Sequence, residues 1–184
     1  MRIVETAIPG LLLIEPRIVQ DERGFFVETY HESRYAQAGV TAHFVQDNHS
    51  HSLRGVLRGL HYQLRRPQAK LVRVARGEVF DVAVDIRRGS PTFGQWHSAL
   101  LSDTNGRQIF IPAGFAHGFC VLSEVADLEY KCSEFYDPED QLGVIWNDAD
   151  LGIAWPVATP ILSEQDRGLP RLSEASLPEY GSGA

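Results

Sequence analysis

Two histidines stand in glycine-containing segments whose residue types suit proton transfer. His61 lies in RGLHYQ, and His117 lies in IPAGFAHGF. An imidazole gains and loses a proton readily near neutral pH, so either side chain could act as a general base. Strands also carry histidines that have no chemical role. The surrounding elements must therefore decide between the two interpretations.

Positive charge concentrates between residues 54 and 88, which hold nine of the 17 lysine and arginine residues. This segment could bind a small anion or form a solvated basic surface. Within it, Lys70 shares a strand face with Val72 and Val74, and aliphatic neighbours would lower the pKa of its amine. An exposed lysine is an equal alternative. The net charge of the whole chain, −7, argues against binding of nucleic acid or an anionic membrane.

Short strands separated by turns are the main pattern along the chain. In VFDVAVDI, residues 79–86, apolar side chains alternate with a set that includes Asp81 and Asp85. Asn105-Gly106 is a hairpin signal before the apolar run in RQIFIPAG. One helix is expected around HESRYAQAG, ending at Gly39. We therefore predict a mainly antiparallel β fold, a barrel or jelly roll with few short helices.

A single domain is expected over residues 1–184, with a Pro/Gly/Ser-rich C-terminal tail from about residue 169 to 184. No apolar run approaches the roughly 18 residues of a membrane span, and the first residues lack the apolar region of a signal peptide. Cys120 and Cys132 are too few for a disulfide framework, so both are expected to be reduced thiols. These observations predict a cytoplasmic protein.

The alternation of side chains along a strand tests which residues can share a pocket with His61. A regular strand places Gly59 and Gln63 on the side of His61 and Arg58 on the other. Arg58 can join such a pocket through a bulge near Gly59, or if the strand begins there.

The segment GRQIFIPAGFAHGF contains the spacing G-x5-P-x-G-x2-H, which ends at His117. This spacing resembles the second motif of the cupin superfamily, and the resemblance implies a jelly-roll β-barrel. In metal-binding cupins that motif supplies one histidine ligand.

The first cupin motif, G-x5-H-x-H-x3-4-E, is incomplete in this chain. Gly55 and His61 match it, but Gln63 occupies the second histidine position, and the glutamate position falls on Pro67 or Gln68. Two of four ligands are therefore missing, whereas a transition metal usually has three or four protein donors. We predict a cupin-type fold without a metal or other cofactor, in which His61 is free to act as a base.

A longer set of motifs resembles the dTDP-4-dehydrorhamnose 3,5-epimerase family. The resemblance extends from about residue 3 to 167 and includes DERGFFVETY, QDNHS, RGVLRGLHYQ, QAKLVRVARGEVFDVAVDIRRGSPTFGQW, FIPAGFAHGF, LEYKCSEFY, WNDADLGIAW and LSEQD. It implies a metal-independent isomerase that converts dTDP-4-dehydro-6-deoxy-D-glucose to dTDP-4-dehydro-L-rhamnose by inverting two sugar carbons. It also implies a homodimer.

The resemblance assigns four residues to the chemistry. His61 is the base, and Asp166 orients it. Lys70 stabilises the enolate oxygen that forms when a proton leaves the carbon beside a ketone. Tyr130 returns a proton on the opposite face, and a nearby cation would make its phenolate more accessible.

The remaining matches concern substrate binding. Arg23 and Arg58 are expected to contact the diphosphate, and Tyr136 and Phe26 to contact the thymine or the sugar. Further candidates are Gln46, Asn48 and His117 as hydrogen-bond donors. In the family the N-terminal strand reaches the neighbouring pocket, so Arg23, Phe26 and Glu28 are expected to act across the dimer.

Two positions leave alternatives open. Asp81 or Asp85 is expected to form a salt bridge close to the site, with an arginine as one candidate partner, or else to lie on the surface. Gln165 stands where family members often carry lysine, so one positive contact to the diphosphate is absent.

Three other functions compete with double epimerisation. Relatives with the same four groups invert one carbon, or act on related dTDP-ketosugars. A metal-dependent cupin would need additional ligands near His61 and His117. A non-enzymatic sugar-nucleotide binding module would need the basic residues but no His–Asp pair facing a tyrosine.

Overall fold

A computed structural model describes residues 1–181 of the chain, and this part forms thirteen strands and two short helices. The strands and helices, in chain order, are β1 (Arg2–Glu5), β2 (Leu12–Glu15), β3 (Ile18–Asp21), β4 (Gly24–Val27), α1 (Glu32–Gln37), β5 (Gln46–Leu53), β6 (Leu57–Gln63), β7 (Lys70–Arg76), β8 (Glu78–Asp85), β9 (Trp96–Ser102), β10 (Gln108–Ile111), β11 (Phe115–Val121), β12 (Val125–Cys132), β13 (Gln141–Gly143) and α2 (Glu164–Arg167).

Two large antiparallel sheets face each other and enclose the main core. One has the strand order β1-β2-β10-β7-β12-β5, and the other has β13-β6-β11-β8-β9. Apolar side chains from both sheets, such as Val72 and Leu128 on one and Val79 and Phe119 on the other, meet in a single buried cluster. The fold is therefore a cupin-type jelly roll, and the prediction of a mainly β chain with few helices is confirmed.

Strand β8 is buried on both faces. The face carrying Val79, Asp81 and Ala83 points toward the opposite sheet, and Val82 and Val84 belong to a second cluster on the outer side. The alternation in VFDVAVDI was correctly assigned to a strand, but the carboxylate face is the interior one. The surface alternative for Asp81 and Asp85 is wrong, because both are fully buried.

Two turn predictions had different outcomes. Helix α1 lies within the predicted segment, and the chain leaves it through Gly39, whose φ of +97° suits glycine. Asn105-Gly106 does form a turn, with φ of +60° at Gly106. However, β9 pairs with β8 while β10 pairs with β2 and β7, so this turn connects two sheets and does not close a hairpin.

The described part of the C-terminal tail packs against the five-stranded sheet. Leu172 and Ala175 belong to the outer core cluster. The guanidinium of Arg87 lies 4.6 Å from the ring centre of Phe115 and 5.0 Å from that of Tyr180. These contacts hold residues 169–181 on the barrel, and the last three tail residues lie outside the described part. No helix within residues 1–181 is long and apolar enough to cross a membrane.

Candidate active site

A cavity of about 490 Å³ opens between the two sheets and collects side chains from both. His61 on β6 and His117 on β11 come from the five-stranded sheet, where their Cα atoms are paired across the strands. Lys70 on β7 and Tyr130 on β12 come from the six-stranded sheet. A second cavity of about 300 Å³ shares His61, Lys70 and Tyr130 and is also lined by Tyr136. His61 and Tyr130 thus line the same cavity from opposite sheets.

An irregularity at Gly59 brings Arg58 into the same cavity. The pairing of β6 with β11 changes register between the His117–His61 and Phe119–Arg58 pairs. Gly59 has φ of +120°, and a Cβ there would lie 2.6 Å from Gly118 Cα, so the two backbones approach closely. Of the two routes expected for Arg58, the bulge near Gly59 is present, and Arg58 also stands at the second position of β6. Its Nε donates to Ser52 Oγ at 3.1 Å and its Nη2 to the His51 carbonyl at 3.5 Å, and no carboxylate within residues 1–181 forms a salt bridge with it.

His61 forms a close pair with Asp166. The His61 Nε2 atom lies 2.6 Å from Asp166 Oδ1, and the carboxylate is almost fully buried. Burial pushes the pKa of Asp166 upward, but hydrogen bonds from His61, the Gly59 backbone and Ser163 outweigh it and hold the pKa below its ordinary value. An ionised Asp166 accepts a hydrogen bond, so Nε2 carries the ring proton. The other nitrogen, Nδ1, is left to accept a proton.

His117 forms a second buried pair, with Asp81. The His117 Nε2 atom lies 2.9 Å from Asp81 Oδ2, whereas Asp81 Oδ1 has no hydrogen-bond partner among the described atoms. An arginine was the suggested partner for Asp81 or Asp85. Asp85 does bind Arg87, at 2.8 Å, and its pKa falls to about 2: burial raises it, but hydrogen bonds from Arg87, Ser90 and Thr92 outweigh burial.

Lys70 is partly buried at the start of β7, and its amine is 5.9 Å from the centre of the Tyr130 ring. Burial lowers the pKa of Lys70, while the charges of Cys132 and Asp81 oppose that change. The sequence-based expectation of a lowered pKa among aliphatic neighbours is therefore confirmed.

Tyr130 does not show the easier ionisation that a nearby cation was expected to produce. Burial raises the pKa of Tyr130, with Cys132 and Tyr136 adding to the effect and Arg58 opposing it. Burial wins because the phenolate would lose its hydration between the sheets, whereas the cation interaction only partly replaces water. Tyr130 is therefore held as a neutral phenol, the form that donates a proton.

The amide candidates Gln46 and Asn48 line the smaller cavity and bind each other. Gln46 Nε2 donates to Asn48 Oδ1 at 2.9 Å, and Asn48 Nδ2 donates to Cys132 Sγ at 3.5 Å. The Gln46 Oε1 atom accepts the backbone N–H of Tyr136 at 2.9 Å. Both amides line a cavity beside His61 as the sequence predicted, and each spends one donor and one acceptor position on other protein groups.

Arg23, Phe26 and Glu28 lie apart from the cavity in the single chain. They belong to or follow the β3–β4 hairpin, a separate two-stranded sheet. Phe26 is 72% exposed, and Arg23 is exposed and binds Asp21 at 2.6 Å. Glu28 binds Arg34 at 2.8 Å. None of them lines the cavities around His61.

The metal-ligand positions of the cupin motifs are otherwise engaged. Within residues 1–181 no group of three or more His, Cys, Asp and Glu side chains is arranged to hold a metal ion. His61 and His117 each bind a carboxylate, and the Gln63 amide binds backbone groups. Three donors of the kind a transition metal needs therefore do not converge here.

Sequence reasoning missed the residues that hold the functional groups. Ser163 caps α2, and its Oγ accepts the Asp166 N–H at 3.0 Å, which fixes the position of this carboxylate. The spacing of serine and an acid three residues later, in SEQD, is a capping signal that could have identified it. Ser52, which binds Arg58, has no comparable signal in the sequence.

A further cavity of about 380 Å³ lies mainly among outward-facing residues of the six-stranded sheet. Its charged side chains are already paired, Arg73 with Glu129 and Lys131 with Asp47. We therefore assign the chemistry to the cavity between the sheets.

Comparison with known proteins identifies close relatives. A family model described as dTDP-4-dehydrorhamnose 3,5-epimerase matches residues 5–174. A protein of that name from Pseudomonas aeruginosa is 57% identical over 169 residues, covering 91% of this chain and 93% of the relative. A dTDP-4-dehydrorhamnose 3-epimerase from Streptomyces niveus is 43% identical, covering 99% of this chain and 91% of the relative.

Solved structures of related enzymes share the whole fold, and one of them contains a bound sugar nucleotide. It is a dTDP-6-deoxy-D-glucose-3,5-epimerase from Legionella pneumophila in complex with dTDP-4-keto-L-rhamnose. Its TM-score is 0.95 at 52% identity, and the match covers 97% of this chain and 98% of that one.

Proposed function

The chain belongs to the dTDP-4-dehydrorhamnose 3,5-epimerase family, and from that premise we propose that it inverts carbons 3 and 5 of dTDP-4-dehydro-6-deoxy-D-glucose to give dTDP-4-dehydro-L-rhamnose. The observation that carries the proposal is the pair His61–Asp166 on one wall of the cavity, with Tyr130 on the facing wall. Inversion needs a base and an acid on opposite faces of one carbon, and this arrangement supplies both.

The reaction begins at His61. Its unprotonated Nδ1 takes the proton from the carbon beside the ketone, and the C–H electron pair moves to the ketone oxygen to form an enolate. The ionised Asp166 stabilises the imidazolium that results and keeps the ring oriented.

Lys70 stabilises the enolate. Its amine lines the same cavity as His61 and Tyr130, and as an ammonium group it stabilises the negative charge that develops on the sugar oxygen. The charge of Asp81 favours the ammonium form and opposes the effect of burial, which still lowers the pKa of Lys70.

Tyr130 completes the inversion. Its phenol gives a proton to the opposite face of the carbon, while the enolate electrons return to form the new C–H bond. The raised pKa keeps the phenol protonated until that step. Afterwards His61 carries the extra proton and Tyr130 lacks one, and exchange with solvent restores both before the second carbon reacts.

Nucleotide binding uses the outer part of the two cavities. We propose that Arg58 and His117 bind the diphosphate: both line the larger cavity, and Arg58 has no salt bridge among the described residues. Tyr136 is half exposed and lines the smaller cavity, where its ring can stack on the thymine or the sugar. Gln46 and Asn48 shape the floor beside it.

The active form is proposed to be a homodimer in which Arg23, Phe26 and Glu28 reach the partner's cavity. The support is the exposed apolar surface of the β3–β4 hairpin: Val19, Phe25 and Phe26 are at least half exposed. Large aromatic side chains left in water on a separate two-stranded element mark an interaction surface.

The chain is proposed to be one domain that acts in the cytoplasm. Both cysteines are free, and burial raises the pKa of Cys120 to about 11, so it remains a thiol. Unpaired cysteines are typical of a reducing compartment.

The test is solvent exchange during turnover. The purified protein is incubated with dTDP-4-dehydro-6-deoxyglucose in deuterated water, and the sugar protons are followed by NMR. We expect deuterium at carbons 3 and 5, with exchange reduced at least about 10²-fold in His61→Ala, and formation of the inverted product reduced by a similar factor in Tyr130→Phe. His97→Ala and Tyr62→Phe are controls, because these residues lie outside the cavity, and Tyr62 donates to the Ser176 carbonyl.

The same experiment separates the alternatives. Exchange at one carbon would make the protein a mono-epimerase on a related dTDP-4-keto-deoxysugar, a candidate favoured by the Streptomyces niveus relative. Binding without any exchange would overturn the acid–base assignment.

A further inference from the structure

Tyr136 lies in a short segment whose side chains do not fix it by packing. Phe135 and Tyr136 are both more than half exposed, although the segment follows β12 directly and Tyr136 lines the smaller cavity. Such a ring is held in place only as well as its backbone is held. The hydrogen bonds of that backbone therefore decide how well Tyr136 is positioned: Gln46 Oε1 accepts the Tyr136 N–H, and the peptide groups on either side have another partner.

Gln63 makes three hydrogen bonds around this segment. Its Nε2 donates to the Phe135 carbonyl at 3.2 Å and to the Arg66 carbonyl at 2.9 Å, and its Oε1 accepts the Asp137 N–H at 2.8 Å. The side chain is 3% exposed. The peptide groups of both neighbours of Tyr136 are thus attached to one buried amide.

This contact pattern requires an amide. The NH2 group gives two donors for two carbonyls, and the oxygen gives an acceptor for an N–H. Glutamate would place a carboxylate against two carbonyl oxygens, and methionine would fill the space but leave the three backbone groups unpaired. Gln63 also stands two residues after His61 on β6, so it connects the strand of the proposed base to the segment of Tyr136.

We propose that Gln63 is a positioning residue for the nucleotide: by holding residues 135–137, it presents the Tyr136 ring to the thymine or the sugar. The proposal rests on the proposed function for the role of Tyr136. Gln63 occupies the second histidine position of the first cupin motif, and in this chain that position holds the segment that carries Tyr136. Gln63 itself touches neither the reacting carbon nor the acid–base groups.

The experiment measures binding and turnover separately in Gln63→Met and Gln63→Glu. Thymidine 5′-diphosphate binding is measured by titration calorimetry, and the exchange reaction gives KM and the rate at saturating substrate. Tyr136→Ala and the Gln63→Met/Tyr136→Ala double variant complete a cycle. Asp148→Asn is the control, since this buried carboxylate accepts three backbone N–H groups outside the cavity, from Asp150, Leu151 and Leu172.

We expect about tenfold weaker binding of the diphosphate in both Gln63 variants, the scale of a lost aromatic stack. KM should rise by a similar factor while the saturated rate changes by less than about threefold. In the double variant the loss should match that of Tyr136→Ala alone, because a ring that is absent cannot be positioned. Asp148→Asn should lower stability and leave binding unchanged.

Full additivity with Tyr136→Ala would overturn the proposal, as would unchanged diphosphate affinity or a fall in the saturated rate with KM constant. If one Gln63 variant does not fold, the other carries the test. Failure of the proposed function is distinguishable: wild type would then show no exchange, while the diphosphate titrations would still report on Gln63.

Discussion

At the scale of single residues, the proton chemistry depends on Asp166 as much as on His61. The carboxylate contacts Nε2 at 2.6 Å and so decides which ring nitrogen is free. Ser163 holds Asp166 through the cap of α2, a helix of four residues whose role is to place one side chain. The base is thus assembled from two elements that are far apart in the sequence.

Replacing Asp166 by asparagine should slow exchange at both carbons by about 10² to 10⁴-fold, because a neutral amide no longer selects the tautomer or stabilises the imidazolium. NMR-detected deuterium incorporation measures the loss. Glu164→Gln, on the exposed side of the same helix, is the matched control. Exchange within a few-fold of wild type in Asp166→Asn would contradict the role.

The Asp166→Asn variant should also differ from wild type in the pH dependence of its stability. Burial raises and hydrogen bonds lower the pKa of Asp166, and the net value lies below the ordinary 3.8. A carboxyl with a depressed folded-state pKa stabilises the fold above its unfolded pKa, and this contribution is lost as the pH falls through the folded value. In urea unfolding, the stability gap between wild type and Asp166→Asn should therefore narrow below about pH 4.

The residue types at the site could be predicted, but their partners could not. His61, Lys70, Tyr130 and Asp166 stand in sequence motifs that resemble those of the family. The Asp81–His117 pair joins β8 to β11 across a sheet, and no local spacing announces such a contact. The raised pKa of Tyr130 likewise depends on burial that only the folded sheets produce.

At the scale of elements, the close approach of β6 and β11 controls where Arg58 and His61 point. The register change at Gly59 lets neighbouring positions of one strand serve one cavity. Sequence parity could predict that a bulge was needed, because Arg58 and His61 fall on opposite sides of a regular strand. The sheet partners of β9 and β10 could not be predicted, because the Asn-Gly sequence forms a turn both in a hairpin and in a connection between two sheets.

Replacing Gly59 by alanine should destabilise the fold by about 2 to 5 kcal/mol, combining the cost of the positive φ with overpacking. The added Cβ would lie 2.6 Å from Gly118 Cα and 2.7 Å from the His117 carbonyl oxygen. Urea unfolding measures the change. Gly55→Ala isolates the steric part, because Gly55 also has a positive φ, +79°, but no atom within 4 Å of its Cβ position. Equal losses in the two variants would contradict the packing argument.

At the scale of the whole molecule, the β3–β4 hairpin forms a sheet of its own and leaves the rings of Phe25 and Phe26 largely exposed. Sequence resemblance predicted that it crosses to a second subunit, and its exposed aromatic rings agree with that assignment. The consequence is that each proposed site would take its base, His61, from one chain and its arm, the β3–β4 hairpin with Arg23 and Phe26, from the other.

Mixed dimers test this arrangement. His61→Ala lacks the base, and Arg23→Ala/Phe26→Ala lacks the arm, so each homodimer should be impaired. Random reassociation of equal amounts should restore about a quarter of wild-type activity, because half of the dimers are mixed and each contains one intact site. The activity is measured by deuterium exchange after joint refolding, with each variant refolded alone as control. No recovery in dimers of the expected mass would mean that the arm serves its own chain.

Gly59 and Gly118 also limit how this pocket can be re-engineered. A Cβ on Gly118 would lie 2.7 Å from the Arg58 carbonyl oxygen and 3.3 Å from Gly59 Cα. The two backbones are therefore too close for a side chain at either position. In a packed pair of side chains, the clash from a larger residue at one position can be relieved by a smaller residue at the facing position. Here both positions already hold the smallest residue, so no reciprocal exchange exists. A mutant library for altered sugar specificity should therefore keep these two glycines and vary the residues whose side chains line the cavity.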